Sequence, residues 1–417
     1  MRHGWVLSAF LFAAINLFLA ASTYVALAQG APTPLLEKGH PVDWWFVFKF
    51  NTASFPACHA GAQRACIFGG EPQQYAFGQQ FVYASSEHKE LEEGGGCAGD
   101  SVNDPVGATF DEVYNGSFFY VVWNDQLYDD PVIEGCTNSC SAPWGHSKGI
   151  LVWDDSGEGF VMQVTTPSWP AAGSKKHPRE SDGNTLGCVA DDNVKVSQHF
   201  FALKLSKDNV VKVLTALENA SVVTDPDNAQ LVNNGGPADI QRLVKKLGTK
   251  SDNDAVLRDH LSNGFDLISK PSKLHVPPWQ MVSALLGGVD IRAATWWANP
   301  KIGTTSSSTR ITCWDSDLGK PGAVEIATSG QWGDTLFGLT GGPGPNNNHA
   351  KIGVSTSDDQ HHYAIFGDMN QQGTISGSNC GSSQNGRGGL FYVIDDETLA
   401  HSITDLLKGH SAPTGAH

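Results

Sequence analysis

The sequence predicts a mixed α/β (α+β) fold built from two similar sheet-and-helix halves. The pattern His-x-Lys occurs twice, at His146–Lys148 and His349–Lys351, and each copy leads into two apolar runs separated by a polar turn. Each pair of runs is typical of a β-hairpin. Further along each half, another apolar run precedes a segment with helical spacing of apolar residues. Because the same elements recur in the same order, we interpret the chain as an internal duplication.

The elements of both halves can be placed along the chain. Alternating apolar runs predict strands, and apolar residues at three- and four-residue spacing predict helices. The expected strands are 44–48, 118–123, 149–153, 160–164, 200–205, 292–297, 309–314, 352–354, 363–366 and 390–394. The expected helices are 210–217, 237–247, 252–263, 279–286 and 399–407.

The two His-x-Lys patterns carry the chemistry that the sequence predicts. In an extended strand residues i and i+2 share a face, so each copy sets an imidazole beside an ammonium group. When the two copies meet, one imidazole can attack phosphorus and the other can protonate the leaving oxygen, while the ammonium groups hold the charged oxygens. The predicted catalytic residues of this phosphodiester-cleaving site are His146, Lys148, His349 and Lys351.

The chain resembles the deoxyribonuclease II family in five segments that follow the family's order. They are Pro41–Lys49, His146–Gly149, His349–Lys351, Gly367–Asn370 and Gln384–Gly389. The resemblance implies a phospholipase D-like fold, in which two duplicated halves form a pseudo-dimer around one active site. It also implies acid, metal-independent cleavage of DNA to products with 3′-phosphate ends. We expect the reaction to pass through a phosphohistidine, with His146 favoured as the nucleophile by analogy with the wider superfamily.

Four further residues are predicted to bind the substrate. Asn370 can hydrogen-bond a phosphate oxygen, with a turn-forming asparagine as the alternative. Arg387 is flanked by glycines, so its guanidinium and the backbone amides around it can approach a phosphate; an exposed, flexible arginine is the alternative. Asp368 belongs to the same segment as Asn370. Asn184 is the candidate first-half counterpart of Asn370, with a plain turn as its alternative.

Two other functions remain open on the sequence. A phospholipase D-like enzyme acting on lipid headgroups would use the same four catalytic residues. Its pattern has an aspartate five positions after the lysine, whereas Trp153 and Thr356 stand there in this chain. The deoxyribonuclease branch departs at the same place, which favours a nuclease. A secreted carbohydrate-binding protein is the other alternative, and two complete His-x-Lys pairs argue against it.

The first part of the chain predicts export. Residues 1–28 read as a signal peptide, because Arg2 and His3 precede an apolar run and Ala26–Ala28 offers a small-residue cleavage site. The first half is then expected at 29–235 and the second at 236–417. We expect a secreted or periplasmic protein, lysosomal in a eukaryote, acting as a monomeric pseudo-dimer or a homodimer. Its expected partner is DNA, without a membrane or a protein partner.

Cysteine content and charge agree with this reading. All eight cysteines follow residue 28, which predicts disulfide bonds in an oxidising compartment. For the close pair Cys136 and Cys140, a metal site is the weaker alternative to a disulfide. The net charge of -16 at pH 7 opposes DNA binding, but protonation of the 15 histidines removes most of it in acid. No carboxylate cluster recommends a catalytic ion, so we expect neither metal nor cofactor.

Overall fold

Two large β-sheets carry the fold and bring the two His-x-Lys patterns together. The computed structural model describes residues 30–56, 80–99, 101–126, 139–167, 195–356 and 360–415. Residues Ala31–His417 form one compact unit. The predicted signal peptide and Asn184 lie outside the described residues, as do four of the cysteines. No helix in the described ranges is long and apolar enough to cross a membrane.

The elements up to residue 233 are β1 (Leu35–Glu37), β2 (His40–Pro41), β3 (Trp44–Lys49), β4 (Phe81–Ser85), β5 (Glu92–Glu93), α1 (Pro105–Asn115), β6 (Phe119–Asn124), β7 (Lys148–Trp153), β8 (Gly159–Val164), β9 (Gln198–Leu205), α2 (Lys207–Asn219) and β10 (Val232–Asn233). Those that follow are α3 (Ala238–Val244), β11 (Leu257–His260), β12 (Phe265–Lys270), α4 (Pro278–Leu285), β13 (Ile291–Ala294), β14 (Val324–Ile326), β15 (Ser329–Trp332), β16 (Thr335–Gly338), β17 (Ile352–Ser355), β18 (Tyr363–Gly367), β19 (Gly389–Asp395) and α5 (Glu397–Leu406).

The two sheets share a strand order. The first runs β10-β6-β7-β8-β9-β3-β4-β5 and the second runs β11-β12-β19-β18-β17-β13-β14. Reading the second in reverse matches β6-β7-β8-β9-β3-β4 with β13-β17-β18-β19-β12-β11, and every pairing within these two sets is antiparallel. Both predicted hairpins are present, as β7–β8 and β17–β18. The sequence prediction of a mixed α/β fold is confirmed in this form.

In both sheets a helix follows the matching strand along the chain. Strand β9 leads into α2 and β19 leads into α5, as the spacing of apolar residues predicts. Each helix begins at a side chain that accepts from a backbone amide one turn on: Ser206 accepts from Asn209 and Asp396 from Leu399. Helices α3 and α4 also lie where helical spacing places them.

A shared aromatic core joins the two sheets. Phe366 of β18 stacks on Phe46 of β3 and on Phe201 of β9, with ring centroids 4.6 and 4.8 Å apart. Phe201 also contacts Tyr392 of β19 at 5.3 Å. These buried rings pack the central strands of one sheet against those of the other. Backbone bonds from His146 to Gly388 and from His349 to Ser197 then join segments that lead into strands of the two sheets.

Two predicted elements are wrong. The segment 252–263, expected to be a helix, contains β11, which pairs with β12 at the edge of the second sheet. Backbone pairing with a neighbouring strand outweighs the weak helical preference of this polar segment. The segment 309–314, expected to be a strand, is irregular. It is held by bonds from the Thr312 and Cys313 amides to Ile375 O and by a disulfide between Cys313 and Cys380.

The disulfide prediction is confirmed for the cysteines that the structure describes. Besides Cys313 and Cys380, both Cys97 and Cys140 are disulfide-bonded. Cys140 is therefore a bonded cysteine and not a thiolate ligand, which removes the alternative of a metal site at this pair. Disulfides form and persist in oxidising compartments.

Candidate active site

The two His-x-Lys patterns occupy equivalent places in the two sheets. Lys148 is the first residue of β7, and Lys351 directly precedes β17, the matching strand of the second sheet. Each histidine lies two residues before its lysine, where the chain enters the strand. Lys148 and Lys351 are both buried, His146 is 7% exposed and His349 is partly exposed.

Each histidine is hydrogen-bonded to the opposite half of the chain. The backbone amide of His146 donates to Gly388 O at 2.8 Å, and that of His349 donates to Ser197 O at 2.7 Å. Gly388 and Ser197 directly precede the matching strands β19 and β9. The Nδ1 of His146 lies 2.7 Å from Asp368 O. Because a carbonyl only accepts, Nδ1 carries the proton and the lone pair lies on Nε2.

The Lys148 ammonium group belongs to a buried cluster of charges around Asp125. It donates to Asp125 Oδ1 at 2.6 Å, and Arg387 Nη2 donates to Asp125 Oδ2 at 2.7 Å. Arg387 also donates to the carbonyls of Trp144 and Gly145, at 3.0 and 2.7 Å. Although burial opposes it, the two cations hold the pKa of Asp125 well below its usual range. Asp125 is therefore ionised and fixes the Lys148 ammonium group in place.

The second lysine has a different environment. Lys351 Nζ donates to His349 O at 2.5 Å, and no carboxylate of the described residues lies within ion-pairing distance of it. Burial, aided by the nearby charge of Lys148, lowers the pKa of Lys351 to about 7, against the opposing effect of Asp368 and Asp125. A positive charge without a carboxylate partner here is available to an anionic ligand.

The pKa of each histidine is perturbed by charges from the opposite half of the chain. Burial is the largest cause that lowers the pKa of His349, followed by the charges of Lys351, Lys148 and His146. Burial likewise lowers the pKa of His146, with Lys148, Arg387 and Lys351 adding to the effect and Asp125 opposing it. The His349 ring also meets the Trp296 ring edge to face, with centroids 4.1 Å apart. All four predicted catalytic residues therefore share one electrostatic environment.

A relay of buried hydrogen bonds, which runs through His199 and Gln163, connects the two His-x-Lys patterns. The Lys351 amide donates to His199 Nδ1 at 3.1 Å, which leaves the ring proton on Nε2 to donate to Gln163 Oε1 at 3.1 Å. Gln163 Nε2 donates to Asp368 Oδ1 at 3.1 Å, and Leu390 N donates to Oδ2 at 3.1 Å. Burial raises the pKa of Asp368 to about 7. The relay thus ends at Asp368, whose carbonyl holds His146.

The other predicted substrate-binding residues are close by but bonded to protein. The Asp368 carboxylate and the Arg387 guanidinium both serve the networks above, so their direct contact with substrate stays a prediction. Asn370 is buried and donates to Gln372 Oε1 at 2.9 Å, while its Oδ1 has no protein partner. Asn184, outside the described residues, also stays a prediction. The described ranges contain no group of three His, Cys, Asp or Glu arranged to hold a metal ion.

Sequence reasoning missed the residues that hold the predicted catalytic groups. Asp125 follows β6 directly, and a polar residue at the end of a buried strand was the available signal. Gln163 and His199 are polar residues inside or beside apolar runs of strands β8 and β9, where an unpaired polar group would be costly. Trp296 lies two residues after the end of β13, inside the segment 292–297 that the sequence predicts as a strand. None of these signals by itself indicates which pattern the residue supports.

Comparison with known proteins shows extended similarity. The family model described as Deoxyribonuclease II matches residues 33–411. A putative deoxyribonuclease-2 of Burkholderia pseudomallei is 23% identical over 387 residues, which cover 90% of this chain and 93% of that protein. Deoxyribonuclease-2-alpha of Sus scrofa is 28% identical over 181 residues, 42% of this chain and 43% of the pig protein. The match thus spans less than half of the pig relative and nearly all of the bacterial one.

Proposed function

Because this chain belongs to the deoxyribonuclease II family, we propose that it is an acid, metal-independent endonuclease that cleaves DNA to products with 3′-phosphate ends. Membership of the family agrees with the sequence prediction of an enzyme that hydrolyses phosphodiester bonds. The observation that carries the finer proposal is the meeting of His146, Lys148, His349 and Lys351 in one electrostatic environment.

His146 is the proposed nucleophile. Its Nδ1 proton is directed to Asp368 O, so the Nε2 lone pair is free to attack phosphorus. Burial lowers the pKa of His146, which favours the neutral ring that nucleophilic attack requires. Attack forms the N–P bond as the bond between phosphorus and the 5′ oxygen breaks, which leaves a phosphohistidine on the 3′ side.

His349 is the proposed general acid. It gives its proton to the departing 5′ oxygen, then takes a proton from water, whose oxygen attacks phosphorus and releases His146. Burial and the neighbouring cations lower the pKa of His349, so the protonated form requires acid solution, while a bound phosphate anion opposes this shift. This requirement supports a maximal rate on the acid side of neutrality.

The two lysines are proposed to neutralise the phosphate in different ways. Lys351 presents an ammonium group without a carboxylate partner, whereas Lys148 is anchored by Asp125. Both lie beside the histidine of their own half, where charge develops on the non-bridging oxygens. In this proposal the buried cations perform the charge neutralisation that metal ions provide in other nucleases.

The proposed architecture is phospholipase D-like, with 29–235 and 236–417 as duplicated halves. The shared strand order and the reciprocal bonds from each histidine to the opposite half support it. Since one chain contributes both patterns, a monomer is sufficient for the reaction. The disulfides support a secreted, periplasmic or lysosomal location.

Digestion of supercoiled plasmid DNA with excess chelator at about pH 5 tests the proposed function. We expect the plasmid to be nicked and then fragmented, and the fragments to resist extension by a DNA polymerase until a phosphatase removes the 3′-phosphate. His146→Ala and His349→Ala, purified in parallel, control for contaminating nucleases. Activity that disappears in chelator and returns with magnesium would contradict the mechanism.

A further inference from the structure

Besides Lys148 and Lys351, another buried ammonium group, that of Lys270, lies close to the site, at the end of β12. The side chain of Lys270 is fully buried, and its Nζ donates to backbone carbonyls: Leu274 O at 2.6 Å, Asn385 O at 2.8 Å, Arg387 O at 2.9 Å and Pro271 O at 3.3 Å. No carboxylate of the described residues forms an ion pair with it. The three N–H groups are therefore matched by the three nearest carbonyls.

Two of these carbonyls, those of Asn385 and Arg387, belong to the segment that fixes the first half of the site. Arg387 uses its carbonyl to bind Lys270 and its guanidinium to bind Asp125, which in turn holds Lys148. The next residue, Gly388, accepts the backbone hydrogen bond from His146. A movement of the 385–388 backbone would therefore reach both residues of the first His-x-Lys pattern.

The first sheet has a lysine at the matching position. Lys49 ends β3 and pairs with Gln198, as Lys270 ends β12 and pairs with Gly389. The residue before Gln198 is Ser197, which holds the backbone of His349 as Gly388 holds that of His146. Lys49 is also buried, and its charge is one of those that lower the pKa of His349. Both sheets thus end this strand in a buried ammonium group next to the segment that holds a catalytic histidine.

We propose that Lys270 is a positioning residue for DNA hydrolysis, whose ammonium group fixes the 385–388 backbone and through it Arg387, Asp125, Lys148 and His146. The inference rests on the proposed function of this site. A buried ammonium group loses its hydration on folding, and an apolar side chain could fill the same volume without that cost. The hydrogen bonds of Lys270 to the active-site segment give the charge a specific role there.

Lys270→Met tests this role, because methionine is similar in length but lacks the ammonium group. Lys212→Met is the matched control: Lys212 also donates to a backbone carbonyl, His260 O, but it lies on the surface of α2. Thermal unfolding of each variant gives its folded fraction. We expect kcat per folded molecule of Lys270→Met to fall by at least about tenfold, with KM within about threefold of wild type, and Lys212→Met to be unaffected.

A double-mutant cycle with Arg387→Met separates positioning from a general loss of stability. If Lys270 acts through Arg387, the double variant should lose little more kcat than the more severe single variant. The inference would be overturned if the kcat losses of the two single variants multiplied in the double variant. It would also be overturned if the kcat of Lys270→Met stayed within about twofold of wild type.

Should Lys270→Met not fold, Lys270→Gln replaces it, because the amide keeps two N–H donors without the charge. A kcat lowered by about tenfold in that variant, again with little change in KM, supports the inference, and a kcat equal to wild type overturns it. The wild-type digestion in chelator keeps the two proposals apart. An inactive wild-type protein contradicts the proposed function itself, whereas an active wild type with an equally active Lys270 variant contradicts only the positioning role.

Discussion

Lys148 donates to Asp125 across 2.6 Å, and both side chains are buried. The equivalent lysine of the second pattern, Lys351, instead donates to a backbone carbonyl, that of His349. The two patterns are alike in sequence but differ in how the charge of the lysine is compensated. The ammonium group of Lys148 is paired with a carboxylate, whereas that of Lys351 is not. The position that matches Asp125 in the second sheet, by strand register, is occupied by Trp296, which contacts His349 and carries no charge.

The roles of the two histidines can be separated with an activated substrate. A nitrophenyl ester of a nucleoside 3′-phosphate has a leaving group that departs without a proton, so it needs the nucleophile but not the acid. Because hydrolysis of the phosphohistidine still needs His349 as a base, the first turnover is measured. We expect His349→Ala to lose at least about 100-fold in the first-turnover rate on DNA but less than about tenfold in the first-turnover release of nitrophenolate from the ester. His146→Ala should lose activity on both substrates.

The control for this comparison is His401→Ala, an exposed histidine of α5. Equal losses by both catalytic variants on both substrates would mean that His349 does not act as the acid. The opposite pattern, with only His349→Ala losing activity on the ester, would make His349 the nucleophile.

Asp125→Asn should strongly destabilise the protein. The substitution leaves the Lys148 and Arg387 cations buried with a neutral partner, and breaking a buried ion pair costs about 3–5 kcal/mol. Asp43→Asn is the matched control, because Asp43 pairs with Lys204 at 3.7 Å with both side chains about half exposed; it should cost about 1 kcal/mol or less. Urea unfolding of both variants measures the difference, and equal midpoints would contradict the cluster.

The kcat/KM for DNA should fall as the pH rises through about 7, in part because Lys351 loses its proton there. Lys351→Arg keeps its charge to much higher pH, so its alkaline limb should lie at higher pH, even if its maximal rate is lower. A profile of Lys351→Arg that superimposes on wild type after scaling would show that Lys351 does not set this limb.

Unfolding does not explain that loss of activity. The unfolded chain keeps the Lys351 proton up to about pH 10.4, whereas the folded chain releases it near 7. Between these values the unfolded state binds more protons, so this group makes the free energy of unfolding rise with pH. Above pH 7, deprotonation of Lys351 therefore lowers activity but raises the free energy of unfolding. Thermal unfolding across this pH range checks whether stability rises as expected.

Gln163→Met should break the buried relay between the two patterns. It removes the partner of His199 Nε2 and one of the partners of the Asp368 carboxylate, and a buried polar group left without a partner costs about 1–3 kcal/mol. Gln331→Met is the control, since its amide donates to Gly333 O at the exposed end of a hairpin. A Gln163→Met variant as stable as this control would mean that the relay does not hold the halves together.

Local patterns in the sequence determined the repeated elements and the catalytic residue types. Both hairpins, both strand-to-helix units and helices α3 and α4 are local features, set by apolar spacing and caps within about ten residues. The helix predicted at 252–263 was wrong because the structure of this segment depends on a neighbouring strand and not on local spacing. Strand β11 exists because β12 lies beside it, and the partner strand matters more than the segment's own preference.

The tertiary structure alone decided which residues hold the predicted catalytic groups. Asp368 binds the ring of His146 from 222 positions away, and Arg387 reaches Asp125 from 262 positions away. No spacing rule spans such separations, because these bonds form between residues of two different sheets that meet only once the aromatic core has joined the sheets. The repeated sequence therefore determined two equivalent His-x-Lys patterns. Only the packed fold made them unequal, by placing a buried carboxylate beside Lys148 and a tryptophan at the matching position.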